Sequence, residues 1–525
     1  MPESARPKAA LTVLRAWSPV ARASLLIAGL FAIDKPLDLL RQIIIGRQFG
    51  VGPELDAFNA ANNLPDLLRA LITGGALSLA LIPVLSEALE RSGRPALWSL
   101  FSRIANLAFV VTGVLAVVVG LLAEPIVRSQ WGIAPGFAPE VQDLVIELMR
   151  LNLAALLLFS VSGLVTSGLQ ANQHFFLPAL APVVYDLGQI GGALVLAPGP
   201  DDLAIAGLRF PGLGLGVHGL VYGVIIGAAL HLAVQLPGLV RHHFRWSPSL
   251  DLRHPGVRQV LRLMGPRLVT IGAFQLMFVI QDNLGSRLPS GAVTALTYGW
   301  LIMQFPETLI GTALGTALLP TLSEQFARGD SSAFGASVER GLRVLLALTL
   351  PSAVLLALAV RPLVAAAFAF DDAGTSLVAA TTQGFLVGLV GHAWLEVLAR
   401  AFFARQNARP PLVARLANLA VFLAAGAALF RPLGALGIAV SNSLGFTVEA
   451  AVLYLILRRP RPEIRGAWSC LPRAIAGSLL SGAAAYAAMS WLPLPALLST
   501  AIGLAIGGAI AVLFILPELR ELKRL

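Results

Sequence analysis

Runs of about 20 apolar residues recur along this chain from near residue 20 to near residue 518, each long enough to cross a bilayer as a helix. No other feature narrows the possible folds as much. Inside hydrocarbon every backbone polar group must be satisfied within its own segment, so runs of this kind fold as helices gathered into a bundle. Charged residues make up 13% of the 525 residues and hydrophobic ones 57%, whereas a soluble domain carries about 25% charged residues. That is too little charge to cover a water-facing exterior. The expected fold class is an all-α polytopic membrane protein.

The runs divide into fourteen spans, at 20–49, 57–89, 98–126, 142–170, 178–197, 213–240, 257–286, 291–326, 335–360, 375–404, 411–430, 433–457, 470–492 and 496–518. The net charge of +10 suits nucleic acid only in a soluble basic domain, and the sequence contains none. Lys and Arg cluster instead in alternate short loops, with Arg91, Arg94, Arg241, Arg245, Arg253, Arg258, Arg458 and Arg459 on one side. The other side offers Glu54, Asp201, Asp202, Asp371 and Asp372 beside few cations. This asymmetry predicts that both termini are cytoplasmic and the span count even, a condition that twelve spans also meet. Arg6, Lys8, Arg15 and Arg22 precede an apolar run at 23–33 in the manner of a secretory signal. That run leads into Asp34-Lys35-Pro36, not a small-residue cleavage site, so a retained first helix is expected.

An internal repeat is present. Pro83-Val84-Leu85-Ser86-Glu87 closes the second span and Pro320-Thr321-Leu322-Ser323-Glu324 closes the eighth. Upstream, Leu64-Pro65-Asp66 parallels Phe305-Pro306-Glu307. Spans one to six and seven to twelve are therefore expected to be parallel copies of one bundle, as in many transporters. The expected organisation is a cytoplasmic segment at 1–19, an N-lobe at 20–245, a C-lobe at 250–460, and spans thirteen and fourteen at 465–520, outside the repeat.

Several charges fall inside spans, where an ionised group costs several kcal/mol unless it meets water or a partner. Lys35, Asp38 and Arg41 follow at i, i+3 and i+6 in span one, with Pro36 expected to interrupt the helix. They form either a polar stripe facing an aqueous cleft or a self-neutralised stripe that fixes packing. Arg69 lies near mid-depth in span two, one turn after Asp66. An Arg fork at that depth matches phosphate oxygens, which favours a functional role over a packing pair. Asp56 and Arg47, near span ends, suit an interfacial position. In the second half the polar groups within spans are Arg267, Gln275, Asp282, Glu307, Glu396 and Arg400. Glu396 and Arg400 have the spacing of an intrahelical ion pair, Asp282 suits an interface, and Asp186 in span five has no evident partner.

Other chemistry is not supported. Gly214, Gly216 and Gly219 match a G-x-G-x-x-G pattern but open an apolar helix with no acidic residue about 20 positions on, so close helix packing is expected instead of dinucleotide binding. No Walker A sequence, metal-ligand histidine spacing or nucleophile–base set is present. The single cysteine, Cys470, excludes an internal disulfide and suits packing as a small hydrophobe.

The segment Arg41-Gln42-Ile43-Ile44-Ile45-Gly46-Arg47-Gln48-Phe49-Gly50, with Asp56-Ala57-Phe58 and Asn63-Leu64-Pro65-Asp66-Leu67-Leu68-Arg69, resembles the MurJ (MviN) family. So do Gly75-Ala76-Leu77-Ser78, Pro178-Ala179-Leu180-Ala181-Pro182, Met264-Gly265-Pro266, the segment from Gly311 to Pro320, and Val397-Leu398-Ala399-Arg400-Ala401-Phe402-Phe403-Ala404. The similarity extends over about residues 20–460. It implies the fourteen-span fold of the multidrug/oligosaccharidyl-lipid/polysaccharide (MOP) exporter superfamily, with two six-span lobes around a cationic cavity and two final helices forming a lipid-tail groove.

The resemblance also implies that the protein is a transporter, not an enzyme, in the bacterial inner membrane. Its activity would be flipping lipid II, the undecaprenyl-pyrophosphate-linked peptidoglycan precursor, by alternating access for cell-wall synthesis. The family's cavity cations fall on Lys35, Arg41 and Arg69, and its outer aspartate on Asp56. Three positions depart from the family. Leu301, in Tyr298-Gly299-Trp300-Leu301, replaces a span-eight arginine; Gly74 replaces an acid; and Asp38 stands where a small residue is usual, with Asp34 adding another acid nearby. Arg267 is a candidate to supply the missing charge, and Gln275 completes the expected substrate-binding set. The departures favour an alternative cargo, another polyprenyl-linked glycan or an amphiphilic small molecule. Expected partners are a lipid-linked anionic glycan, membrane lipids and other cell-wall synthesis proteins, with no nucleic acid. No cofactor is identified, and the membrane potential or a monovalent cation is the candidate driving force.

Overall fold

The computed structural model describes residues 19–72, 75–199, 204–205, 208–209, 212–459 and 462–521. They are helical almost throughout, apart from a two-residue antiparallel pair joining Ala204–Ile205 to Leu208–Arg209. The chain forms two compact units. The first comprises the described residues within Met1–Gln48, Ala61–Ile126 and Asp143–Gly272, the second Phe49–Ala60, Val127–Gln142 and Ala273–Leu525.

The helices of the first stretch of chain are α1 (Pro19–Phe49), α2 (Pro53–Ile72), α3 (Gly75–Leu121), α4 (Ala123–Arg128), α5 (Pro139–Ala171), α6 (Phe176–Gly191), α7 (Val217–Ala233), α8 (Leu236–Arg241) and α9 (Pro255–Gly285). A π-helical turn, Gly192–Leu196, extends α6. α1 runs through Pro36 without leaving helical geometry, so the expected interruption is absent, although proline still removes one N–H from the ladder. α3 joins the end of span two to span three across Gly93, whose φ of 76° is open to glycine at little cost. The core of the first unit gathers around Trp98, Phe101 and Phe244, whose rings meet edge-on at 5.2–5.5 Å. The Trp98 indole N–H donates to the His242 carbonyl at 2.9 Å, satisfying the one polar atom that this core would otherwise strand.

The later helices are α10 (Ala292–Pro306), α11 (Ala313–Ala327), α12 (Ser331–Phe368), α13 (Asp372–Leu386), α14 (Leu389–Ala404), α15 (Arg409–Arg458), α16 (Leu471–Trp491) and α17 (Ala496–Glu521). A second π-helical segment, Glu307–Thr312, joins α10 to α11. Asp330 and Asp371 cap α12 and α13, each accepting a backbone N–H at 2.9 Å. α15 contains both the eleventh and twelfth expected spans, broken at Gly434 with φ 59°. The repeated Pro-x-Leu-Ser-Glu motif ends alike in both copies, since Gly93 and Gly329 each follow it with positive φ. α17 is tied down by buried Glu518, which accepts from Arg473 at 2.6 Å and Arg343 at 3.4 Å. Cys470 is buried as expected.

In their described residues all fourteen expected spans overlie mainly helix. Among the described residues eight helices are long and apolar enough to cross a membrane, or nine counting α13 and α14, bent by 45°, as one span. The glycine motif before α7 departs from expectation. Gly214 and Gly216 have φ of 71° and 55° and shape the approach to the helix. Only Gly219 serves close packing, since a Cβ there would lie 2.4 Å from the Ala197 nitrogen.

Candidate functional site

The polar residues of span one meet their partners within the first unit. Arg41 projects from α1 toward α6, where its Nη1 donates to Asp186 Oδ1 at 2.6 Å, while Nη2 donates to Asp38. The Arg41 side chain is only 13% exposed. A guanidinium between two carboxylates is committed, so Arg41 is not the free cation expected of a phosphate-binding stripe. Lys35 is 65% exposed, with Asp34 at 3.9 Å. Along this stripe three carboxylates, Asp34, Asp38 and Asp186, face two cations. The potential is therefore less positive than Lys35 and Arg41 alone suggest.

Arg69 differs. It pairs with Asp66 at 3.0 Å across one helical turn, yet its side chain is 40% exposed. Its guanidinium lies 5.0 Å over the Phe159 ring, which holds it from one side by a cation–π contact. Phe159 is itself packed edge-on against Tyr185 and His231, at 5.1 and 5.5 Å. Beyond it Ser162, His231, Gln235 and Thr166 form a hydrogen-bonded group at 2.6–3.4 Å. Such an arrangement orients one face of the fork on aromatic carbon while two-fifths of the side chain stays exposed.

Asp56 belongs to the second unit and is only 1% exposed. Its Oδ2 accepts the Gly291 N–H at 2.6 Å, and its Oδ1 accepts both the backbone N–H and the hydroxyl of Thr294 at 2.7 Å. Asp56 thus caps the start of α10 from a distant segment and is buried where an interfacial position was expected. Asp282 is likewise buried, at 2% exposure. Gln275 is half-buried on α9 within the second unit. The side chain of Arg267 lies outside the described residues.

Two further polar groups lie in the second unit. Glu396 and Arg400 form the ion pair that their spacing predicted, and Arg400 also donates to Thr316 at 3.2 Å. Glu307, at the head of the π-helical segment, accepts from Thr312 at 3.1 Å. The other group was not anticipated. Arg415 pairs with buried Glu449 at 3.1 Å, and Asn418 donates to the same carboxylate at 2.7 Å. The guanidinium sits between the Phe274 and Phe446 rings, 5.3 and 5.2 Å from their centroids. It lies in the second turn of α15, which begins at Arg409. Leu301 stands on α10 as the sequence places it. Among the described residues no group of three His, Cys, Asp or Glu is arranged to hold a metal ion.

The model of the family described as "Lipid II flippase MurJ" matches residues 45–493. The lipid II flippase MurJ of Burkholderia cenocepacia is 32% identical over 450 residues, covering 83% of this chain and 84% of that protein. A probable lipid II flippase MurJ of Rhizobium tropici is 29% identical over 499 residues, covering 91% and 90%. Among solved structures, a lipid II flippase MurJ in an inward closed conformation superposes with a TM-score of 0.79 at 20% identity, covering 95% of this chain and 99% of that one. An inward-facing multidrug resistance transporter of the MATE family, in the MOP superfamily, gives 0.66 at 15% identity, covering 82% and 95%. At those identities the two structures establish a shared fold. The match across residues 45–493, together with a relative 32% identical over most of both chains, establishes the lineage: the chain belongs to the MurJ family of lipid II flippases.

Proposed function

We propose that this chain carries lipid II from the inner to the outer leaflet of the bacterial inner membrane, exposing its site alternately to the two faces. The observation that carries this reading is the family match, which runs from the end of α1 into the loop after α16 and so includes Arg69 and Asp56. A pyrophosphate-linked glycan cannot cross hydrocarbon alone, because stripping water from its charges and hydroxyls is prohibitively costly. A polar surface within the bilayer replaces that hydration while the prenyl tail stays in lipid. Arg69 is the residue we assign to the pyrophosphate, held on Phe159 with Asp66 as its resting counter-ion. Lys35 is the second contact. Arg41 positions α1 against α6 through Asp186, and Asp56 positions α10; neither is assigned to the guest. Fourteen crossings, cytoplasmic termini, the substrate roles of Arg267 and Gln275, a driving force from the membrane potential or a monovalent cation, and association with other cell-wall synthesis proteins belong to the same proposal.

A second reading has a specific observation in its favour. Leu301 in place of the family's arginine, with three carboxylates along the Arg41 stripe, suits a less highly charged cargo, such as another polyprenyl-linked glycan. The test is replacement of the resident flippase in cells depleted of it, with membrane levels of the chain matched. Growth and restored lipid II translocation are the expected result. Lysis despite normal insertion would overturn the lipid II reading in favour of the other cargo.

A further inference from the structure

The first unit contains an apolar cavity of about 610 Å³ unrelated to the Arg41 and Arg69 groups. Leu68 and Leu71 of α2, Leu107 and Val111 of α3, and Leu261 and Met264 of α9 are among its walls, which are aliphatic apart from methionine and a glycine. Its volume is in the range of pockets that enclose small ligands, about 300–1,000 Å³. Leu252, Leu261 and Val269 are each more than two-fifths exposed along it, so the cavity opens to the surroundings and is not sealed core. A second hollow, lined by Arg253, Pro255, Arg258, Gln259 and Arg262, lies on the first two turns of the same helix. Arg258 and Arg262 are four residues apart and share one face of α9. Val257, Val260 and Leu261, interleaved with them, line the apolar cavity.

Among the described residues no carboxylate pairs with Arg253, Arg258 or Arg262; the neighbouring Asp251 side chain accepts the Arg253 backbone N–H at 2.9 Å. Three unneutralised cations at the end of an apolar slot match an amphiphile with an anionic head and a long hydrocarbon tail. We propose that this is a binding site for an anionic membrane phospholipid, with its phosphate on Arg253, Arg258 and Arg262 and one acyl chain along the α2–α3–α9 cavity. The charge alone accounts for a surface attraction, and the slot alone accepts any alkyl chain. Their adjacency on one helix selects a lipid carrying both. The site stands whether or not lipid II is the cargo.

The test uses the full chain, purified in mild detergent and exposed to vesicles of phosphatidylglycerol or of phosphatidylcholine. Retained lipid is counted by intact-protein mass spectrometry, and the thermal unfolding midpoint is read with each lipid. Phosphatidylglycerol is expected to be retained and to raise the midpoint, and phosphatidylcholine to do neither. Each Arg→Gln change at 253, 258 or 262 is expected to weaken retention about fivefold. Val111→Trp, which fills the slot while leaving the charges, is expected to reduce retention as well. Equal retention of the two lipids, or undiminished phosphatidylglycerol on the triple Arg→Gln variant, would overturn the site. Displacement of phosphatidylglycerol by stoichiometric undecaprenyl phosphate would overturn it too, by assigning the slot to a prenyl tail.

Discussion

Arg41 and Arg69 lie on consecutive helices of one unit, and the family resemblance implies that both are cavity cations. Arg41 meets two carboxylates, Asp38 and Asp186, and has little exposure; Arg69 pairs with Asp66, rests on an aromatic ring, and has 40% of its side chain open. In a low-dielectric setting a second carboxylate turns an available cation into a fixed link between helices. Arg415 in the second unit is as little exposed as Arg41, paired to buried Glu449 between two phenyl rings. A cation's depth in the membrane does not by itself mark a transport site. Exposure separates the three, at 13% for the Arg41 and Arg415 side chains and 40% for Arg69.

The contrast predicts a ranked set of effects. Glu449→Ala leaves Arg415 buried without its counter-ion, at a cost of about 3–5 kcal/mol; the thermal unfolding midpoint in detergent should fall furthest here, and an Arg415→Leu/Glu449→Leu pair should recover much of the loss. Asp186→Ala should cost less, about 1–3 kcal/mol, because Arg41 keeps Asp38. If Asp186→Ala proves as damaging as Glu449→Ala, Asp38 is not a counter-ion of Arg41. Asp56→Asn, which turns an acceptor of three donors into a poorer one, should lower stability by about 1–2 kcal/mol by the same measurement. Lys35→Gln, at an exposed side chain, should change stability by less than about 1 kcal/mol.

The smallest effect concerns pH. His174 and His242 lie in loops with rings 5.5 Å apart. Burial, then Arg241 for His174, and burial, then His174 and Arg94 for His242, push both below the ordinary histidine value. The folded state therefore holds both neutral while the unfolded chain takes up protons, so stability is lost as pH falls below about 6.5. His174→Gln should flatten that loss in a stability profile between about pH 5 and 7; an unchanged slope would remove the pair as its cause.

Local spacing carried much of this in the sequence. Asp38–Arg41, Asp66–Arg69 and Glu396–Arg400 pair along their own helices at the separations that make helical neighbours. Longer links were not legible, because nothing local records which helix lies opposite. Asp186 seemed partnerless although Arg41, 145 residues away, reaches it. Asp56 seemed interfacial although its acceptors serve residues 235–238 positions on. Periodicity likewise gave no notice of the π-helical segments, where one extra residue per turn shifts the register at Gly192–Leu196 and Glu307–Thr312.

Head-group translocation by the purified chain in lipid vesicles tests the account most directly. Wild-type protein should bring lipid II to the opposite leaflet, and Arg69→Ala or Arg69→Gln should slow this about a hundredfold, the worth of a charge-assisted hydrogen bond, with reconstitution and unfolding midpoint unchanged. An Arg69 variant that translocates like wild type would contradict the assignment of that guanidinium to the cargo.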